Sequence, residues 1–286
     1  MMDPCIQLKA RHRKSFPGKA DIRCFSCPGR INLIGEHIDY NGGHVFPAAI
    51  DKRIHVAISK NDLGLIRFND LLFNARKDFQ PGDFRPGTDV EKVWLYPYGA
   101  ISLLKLEGTQ GYDLSFDNSI PSGAGVSSSA AITVITLFAV SAMDGIRIDS
   151  PGLARLGQRV EQEFAGVSCG IMDQFAVING RKNAAMILDT RDLSFEYVGV
   201  DPNKVHFILV NSGVKHSLRD SAYNDRRREC EQALLLLKNA GIKIEHLCDL
   251  DGASLDVLRA NLQGNTLKRA IHSVSENGRS IKFYNA

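Results

Sequence analysis

The 286-residue sequence has no run of about 18 consecutive apolar residues, the length that a membrane-spanning helix needs. Its N-terminal stretch, MMDPCIQLKARHRKSF, is charged and lacks the apolar segment of a signal peptide. The net charge is only +3, from 35 Lys+Arg against 32 Asp+Glu, which is too small to indicate nucleic acid or a membrane surface as a partner. These absences predict a cytoplasmic protein that binds neither.

Paired cysteines are also scarce. Only Cys24 and Cys27 among the six have the C-x-x-C spacing, and no second pair or histidine pattern lies near them. Zinc binding or redox chemistry is therefore disfavoured. Small buried thiols in ordinary secondary structure explain the cysteines more simply.

No internal repeat, low-complexity tract or Pro/Gly/Ser-rich linker interrupts the chain, and 44% of its residues are hydrophobic. Local patterns predict helices over Ser128–Met143, from Ser150 as the cap with Pro151 following, and from about Ser221 to Ala240 with Gly241 ending it. Short helical pieces are expected after that. Predicted strands cover Ile54–Ser59, Leu65–Phe68, Tyr112–Phe116, Ala184–Leu188, Ser194–Val198 and the buried Val205–Val210.

The fold class that follows is α+β with two lobes. We place an N-terminal lobe of mixed sheet and helices at residues 1–180 and a C-terminal lobe at residues 181–286.

A glycine- and serine-rich loop, Pro121–Ala130, separates a predicted strand from the buried helix. Gly123 and Gly125 allow close backbone approach, and the helix N-terminus favours an anion such as phosphate. The loop lacks the Gly-Lys-Ser/Thr ending of a Walker A motif and the spacing of a dinucleotide fingerprint. Taken alone, it is equally a glycine turn before a serine-capped helix.

Charged residues cluster among glycines in residues 28–47. Arg30, Glu36, His37 and Asp39 could line a polar pocket for a hydroxyl-rich ligand, because carboxylates accept and guanidinium donates hydrogen bonds. A surface turn explains the same cluster about as well.

Four segments together resemble the galactokinase family of the galacto-, homoserine, mevalonate and phosphomevalonate (GHMP) kinases. Residues 28–47 resemble the galactokinase signature, with Ile38 where the family has Thr. The loop resembles the second motif of the superfamily. The remaining similar stretches are 164–175, which resembles the active-site segment, and 211–218 with 223–230. The resemblance covers nearly the whole chain and implies a two-lobed GHMP-kinase-like fold that phosphorylates galactose at the anomeric hydroxyl.

Site roles are implied residue by residue. Asp173 matches the catalytic base and Arg30 its partner, although Asp173 could instead cap a short helix. The sugar would contact Glu36, His37, Asp39, Gly170 and Tyr223. For Tyr223, a buried amphipathic tyrosine is the simpler alternative.

The resemblance also implies ATP and Mg²⁺. The expected nucleotide contacts are Pro121, Gly123, Ala124, Gly125, Val126, Ser127, Ser128, Ser129 and Trp94, with Trp94 stacking on adenine. Ser129 and Glu161 match the magnesium ligands, and both offer the oxygen atoms that Mg²⁺ prefers. Core packing for Trp94, where the spacing is one residue short, and a surface position for Glu161 remain alternatives.

Family members continue beyond the position of Ala286, with a third, glycine-rich motif that this sequence lacks. The C-terminal lobe is therefore expected to be truncated. Two further functions stay open: a catalytically impaired sugar- and ATP-binding sensor, and a kinase for another sugar, to which Ile38 points. The expected partners are small molecules, and the oligomeric state is left open, with a monomer among the options.

Overall fold

The computed structural model describes residues 3–18, 20–80, 91–104, 106, 111–121, 123–210 and 222–286. The chain divides into two compact units that alternate along the sequence. Unit 1 comprises Met1–Gly29, Ile50–Gly166 and Val177–Asn179; unit 2 comprises Arg30–Ala49, Val167–Ala176 and Gly180–Ala286. The domain boundary placed at residue 180 stays a prediction.

Unit 1 is built on a mixed sheet whose strands run in the order β3-β6-β4-β5. Strand β3 is antiparallel to β6, with Val56 opposite Phe116, and β6 is parallel to β4, with Leu114 opposite Phe68. Alternating apolar residues on β4 place one face of that strand in the core, as a half-buried strand requires. The strands of the chain that contribute to this unit are β1 (Arg23–Asn32), β3 (Pro47–Asn61), β4 (Ile66–Asp70), β5 (Ala75–Phe79) and β6 (Gly111–Asn118).

The helices of unit 1 are α1 (Pro4–Ser15), α2 (Lys92–Leu103), α3 (Ser128–Met143) and α4 (Ser150–Glu163). Helix α3 is mostly buried and packs against α2 and α4, which confirms the predicted helix at its predicted bounds. The predicted cap of α4 was wrong by one residue. Asp149, not Ser150, is the N-cap, because its carboxylate accepts a hydrogen bond from the Gly152 amide at 2.8 Å.

Unit 2 contains the strands β2 (His44–Val45), β7 (Ala184–Asp189) and β8 (Phe195–Gly199). All pairings are antiparallel, with β7 between β2 and β8, and Ala48 of β3 opposite Ala185 of β7. The helices are α5 (Met172–Asn179), α6 (Ala222–Asn239), α7 (Leu255–Asn261) and α8 (Gly264–Asn285), with 3₁₀ turns at Leu247–Asp249 and Gly252–Ser254.

Helices α6 and α8 of unit 2 pack on each other around an apolar cluster that includes Cys230, Leu237, Leu258 and Val274. Helix α6 ends as predicted, because Gly241 adopts a positive φ of 83° that few other residues tolerate.

Two predictions for unit 2 were wrong. Residues 205–210 form no strand; they are irregular and exposed, with Ile208 85% accessible. β-Branched residues favour a strand only where a neighbouring strand supplies hydrogen bonds, and no described strand pairs with this segment. The expected short helical pieces also proved to include the 22-residue α8, which continues through Gly278.

The cysteines follow the prediction only in part. Cys27, Cys230 and Cys248 are buried thiols, as expected. Cys5 and Cys24, however, form a disulfide that links α1 to β1 within unit 1. No sequence pattern predicted this disulfide, because the two cysteines are 19 residues apart and only the packing of the chain brings them together.

None of the described helices combines the length and apolar character that crossing a membrane requires.

Candidate active site

The predicted site residues divide cleanly between the units. Those expected to contact the sugar, including Arg30 and Asp173, all belong to unit 2, whereas those expected to contact the nucleotide and metal all belong to unit 1.

Arg30 and Asp173 form a close ion pair in unit 2. The Arg30 Nε donates to Asp173 Oδ1 at 2.8 Å, and Nη2 donates to the same oxygen at 2.5 Å. Burial opposes the charge on Arg30, but attraction to Asp173 outweighs it and raises the pKa of the guanidinium. Asp173 lies in the first turn of α5, whose N-cap is Ile171, so Asp173 is not the cap of that helix. Its carboxylate instead faces a permanent cation.

Asp39 lies against the backbone of the segment that carries Asp173. Its Oδ2 accepts a hydrogen bond from the Met172 amide at 3.4 Å. A Cβ atom on Gly170 would lie 2.0 Å from the same oxygen, so only glycine fits here. Burial and then the negative charge of Asp173 raise the pKa of Asp39 to about 6. The two carboxylates thus have different environments within one cluster.

Three aromatic rings gather beside these carboxylates. The centroid of the His37 ring lies 5.0 Å from that of Tyr223 and 5.9 Å from that of Tyr40, and the two tyrosines are 5.8 Å apart. Burial and then the charge of Asp39 raise the pKa of Tyr223 above its usual range. Its phenol therefore stays protonated, as a hydrogen-bond donor must. The predicted Tyr223 is thus placed beside the predicted His37.

His37 is held as the neutral imidazole. Arg226 Nη1 lies 3.3 Å from His37 Nε2, and because arginine can only donate, Nε2 must accept. The proton is then on Nδ1, which donates to the Tyr40 hydroxyl at 2.8 Å. Burial and the nearby Arg226 lower the pKa of His37 to about 4, consistent with this tautomer.

Glu36 presents an exposed carboxylate whose Oε1 accepts from Asn32 Nδ2 at 2.9 Å. Its main chain is bound on both sides, since the amide donates to Glu276 Oε1 at 3.3 Å and the carbonyl lies 2.8 Å from His272 Nε2. Glu36 therefore combines a solvent-facing acid with a fixed backbone.

Sequence reasoning missed several residues that hold this cluster together. Asn224 accepts from the Ser168 amide at 3.0 Å, and Arg227 donates to the Tyr40 carbonyl at 2.8 Å while lying over the Tyr40 ring. Both residues, and Arg226, lie in residues 223–230, which resemble the galactokinase family, so the resemblance could have pointed to them. The contacts from α8 followed no motif. The similar stretch 211–218 lies outside the described residues.

Ile38, the substitution that pointed to another sugar, is fully buried. A Cβ on Gly43 would lie 2.7 Å from Ile38 Cδ1, which shows that this side chain packs beneath the Gly43 backbone. The Ile38 side chain is therefore part of the packing of unit 2.

In unit 1, the loop before α3 has the backbone expected of an anion site. Gly123 and Gly125 have positive φ angles of 72° and 71°, and Ser127, the N-cap of α3, is left-handed with φ of 60°. That conformation is unfavourable for serine and is often found at functional sites. The Ser127 side chain makes no capping hydrogen bond, so a simple serine cap does not account for the loop.

The rest of the loop leads into α3. Val126 is buried, Ala124 is half-buried and Pro121 is exposed. Ser128 and Ser129 occupy the first turn of α3, where backbone amides have no acceptor inside the helix.

Trp94 lies in the core of unit 1. It is 2% exposed, and its ring stacks on that of Phe68 with 5.8 Å between centroids. These contacts match the alternative that Trp94 is a core residue. Stacking of Trp94 on adenine remains a prediction.

Glu161 is 5% exposed on α4, the helix that packs against α3, where Ser129 lies in the first turn. Glu161 is therefore not the surface glutamate that the alternative described. No group of three or more His, Cys, Asp or Glu suited to a metal occurs among the described residues.

Comparisons with known proteins identify the family of the chain. A family model for the galactokinase galactose-binding signature matches residues 10–60, and one for the GHMP kinases N terminal domain matches residues 96–181. Galactokinase of Bacillus subtilis (strain 168) is 39% identical over 283 residues, covering 96% of this chain and 72% of that protein. Galactokinase of Ligilactobacillus salivarius (strain UCC118) is 38% identical over 272 residues, covering 93% and 70%.

Solved structures lead to the same family. Lactococcus lactis galactokinase complexed with galactose superposes with a TM-score of 0.88 at 29% identity, covering 98% of this chain and 74% of that one. Methanococcus jannaschii mevalonate kinase, at a TM-score of 0.55 and 18% identity over 94% of this chain and 80% of that one, shares the fold. The predicted α+β, GHMP-kinase-like fold is confirmed. Identity to curated relatives over nearly its whole length shows that the chain belongs to the galactokinase family of GHMP kinases.

Proposed function

We propose that the protein transfers the γ-phosphoryl group of ATP to the anomeric hydroxyl of galactose. The observation that carries the proposal is the Arg30–Asp173 pair, set in one compact unit with Asp39, His37 and Tyr223 in a chain of the galactokinase family.

In this proposal Asp173 accepts the proton of the attacking hydroxyl. Arg30 holds that carboxylate in place through its hydrogen bond, and its cationic fork would also offset negative charge on the transferred group. Phosphoryl transfer has a loose transition state, so holding the hydroxyl in line contributes as much as basicity.

The galactose hydroxyls would be bound by the remaining residues of unit 2. Asp39 and Glu36 accept hydrogen bonds, Gly170 offers close backbone, and the Tyr223 phenol can donate. His37 is neutral with its proton on Nδ1, so it does not add a positive charge to the sugar site.

The nucleotide would be bound by unit 1. The first-turn amides of α3 and the positive φ angles at Gly123 and Gly125 suit the phosphates of ATP. Of the predicted contacts, Trp94 has the least support, because Phe68 already stacks on its ring.

Ser129 and Glu161 would hold Mg²⁺. The donor set fits, because a hydroxyl and a buried carboxylate on two packed helices supply oxygen atoms, and phosphate and water oxygens would complete the shell. Mg²⁺ held there would supply positive charge that offsets the negative charge of the phosphates.

The test is ATP-dependent phosphorylation measured across a panel of sugars, with galactose binding followed separately by calorimetry. For Asp173→Asn we expect kcat to fall by about 100-fold or more while galactose still binds, because removing a general base typically costs this much. The matched control is Asp192→Asn, which replaces an aspartate whose Oδ1 accepts from the nearby Ser194 amide at 2.8 Å.

Asp173→Asn turnover at the rate of the unmodified chain would contradict the assigned base. Tight galactose binding with no product from the unmodified chain would favour the sensor instead. Turnover of another sugar in preference to galactose would favour a kinase for that sugar.

We further propose a cytoplasmic location and small molecules as the ligands. The Cys5–Cys24 disulfide is the observation that weighs against that location, since disulfides are rare in cytosolic proteins.

A further inference from the structure

The segment that carries Glu36, His37 and Asp39 is a closed loop, residues 33–46, which we call the sugar loop. The Leu33 amide donates to the Phe46 carbonyl, and the Phe46 amide donates to the Ile34 carbonyl, each at 3.0 Å. These two bonds close the ends of the loop. The conformation between them depends on other contacts within unit 2.

Helix α8 supplies many of those contacts through side chains that no motif singled out. Asn277 Oδ1 accepts from the His44 amide at 2.9 Å, and Ser273 Oγ accepts from Asn41 Nδ2 at 3.1 Å. His272 Nε2 lies 2.8 Å from the Glu36 carbonyl. One face of α8 therefore follows the sugar loop along much of its length.

Glu276 makes the most direct of these contacts. Its Oε1 accepts from two consecutive amides, that of Gly35 at 2.9 Å and that of Glu36 at 3.3 Å. Two successive amides aimed at one oxygen form a small anion-binding nest. The other oxygen, Oε2, accepts from Arg279 Nε at 2.8 Å. Glu276 is only 8% exposed, so water cannot readily replace it.

The backbone at this point needs such support. Gly35 has a positive φ of 103°, and His37 has a φ of 63°, which is uncommon for residues other than glycine. The peptide between Gly35 and Glu36 sets the direction of the Glu36 side chain and the start of His37. Fixing its amide therefore fixes how two proposed sugar contacts are presented.

We propose that Glu276 is a positioning residue for sugar recognition, acting through the Gly35 and Glu36 amides. The inference rests on the proposed function, in which the sugar loop binds galactose. The Glu276 side chain contacts the proposed sugar-binding residues only at the backbone of the sugar loop. Burial alone would raise the pKa of Glu276, but the Gly35 amide, Arg279 and the Glu36 amide outweigh it and lower that pKa, so Glu276 remains the charged acceptor at neutral pH.

The experiment compares Glu276→Ala, Glu276→Gln and Arg279→Ala in the full chain. Glutamine keeps an acceptor oxygen of the same reach, whereas Arg279→Ala removes the ion pair and leaves Oε1 on the amides. We measure galactose affinity by calorimetry without ATP, together with the KM of galactose, the KM of ATP and kcat.

For Glu276→Ala we expect galactose affinity to fall and its KM to rise by about 10-fold or more, because a small misplacement of binding groups is costly. The KM of ATP should stay within about twofold. Glu276→Gln should recover most of the affinity, and Arg279→Ala should resemble the unmodified chain.

Unchanged galactose affinity in folded Glu276→Ala would overturn the inference. So would a parallel rise in both KM values, which indicates a general structural role. If Glu276→Ala does not fold, Glu276→Gln binding more weakly than Arg279→Ala would overturn it. Galactose binding by the unmodified chain is measured first. Its failure would overturn the proposed function together with this inference, whereas a failure seen only in the variants concerns this inference alone.

Discussion

At the scale of single residues, the site contrasts two carboxylates. Asp173 faces the Arg30 guanidinium, whereas the half-buried Asp39 accepts a hydrogen bond from the Met172 amide and has Asp173 as a negative neighbour. Burial and then the negative charge of Asp173 raise the pKa of Asp39 to about 6. His37, whose pKa is about 4, stays neutral at that pH.

We predict that galactose affinity falls about tenfold as the pH is lowered from about 7.5 to about 5, because the protonated carboxyl loses acceptor capacity. Calorimetric titration across this range checks the prediction. In Asp39→Asn the affinity should be lower but nearly independent of pH. Equal pH dependence in both proteins would contradict the assignment.

The same pKa shift has the opposite sign for folding. The pKa of Asp39 in the fold is raised above its ordinary value of 3.8, so the folded chain binds this proton more tightly than the unfolded chain. The contribution of Asp39 to the free energy of unfolding therefore increases as the pH falls through about 6 towards 3.8. Loss of galactose binding at low pH is therefore not explained by unfolding at Asp39.

At the scale of elements, the close approach of the segment before α5 to the sugar loop depends on a missing side chain. The position of Gly170 leaves no room beside the Asp39 carboxylate. Gly278 offers the contrast, since it lies inside α8 and a Cβ there would meet nothing within 4 Å.

We predict that Gly170→Ala lowers galactose affinity about 10-fold or more, because the added methyl displaces Asp39. Gly278→Ala, the matched control, should instead raise the free energy of unfolding by about 0.5–1 kcal/mol, since glycine disfavours a helix interior. Calorimetry and urea denaturation of both variants check this pair. Galactose affinity unchanged in Gly170→Ala would show that Asp39 can shift without loss.

Local sequence patterns predicted several strands of the fold correctly and one segment wrongly. The strands β3, β4, β6, β7 and β8 were predicted, because alternation and β-branched residues are local signals. Residues 205–210 carry the same signal and form no strand, because a strand is decided by its neighbour.

At the scale of the whole molecule, stability should depend on pH through a buried histidine. His12 of α1 is fully buried in unit 1, with Nδ1 2.8 Å from Ser115 Oγ and Nε2 3.0 Å from Ser59 Oγ. Burial lowers its pKa from 6.5 to about 4, although Asp113 opposes the shift. The neutral imidazole is the form that the fold accommodates.

The stability from His12 is therefore complete above the unfolded pKa of 6.5 and is lost as the pH falls towards 4. We predict that the free energy of unfolding decreases by up to about 3 kcal/mol over that range because of this residue. Urea denaturation at several pH values measures it. His37 and His55 also have lowered pKa values. The relevant quantity is therefore the difference in the pH dependence of the free energy of unfolding between the unmodified protein and His12→Gln. An identical pH dependence in that variant would contradict the prediction.

The family resemblance, the α+β class and the candidate residues of the sugar loop and of the loop before α3 were recognisable from the sequence. Those features reside in short contiguous stretches, where residue type and spacing already limit the backbone and the chemistry. The tautomer of His37, the burial of Ile38 and the hydrogen bonds that Glu276 accepts from the sugar loop became known only from the folded structure. Each depends on atoms from segments far apart in the chain, so its energy is set by packing distance and burial rather than by local sequence.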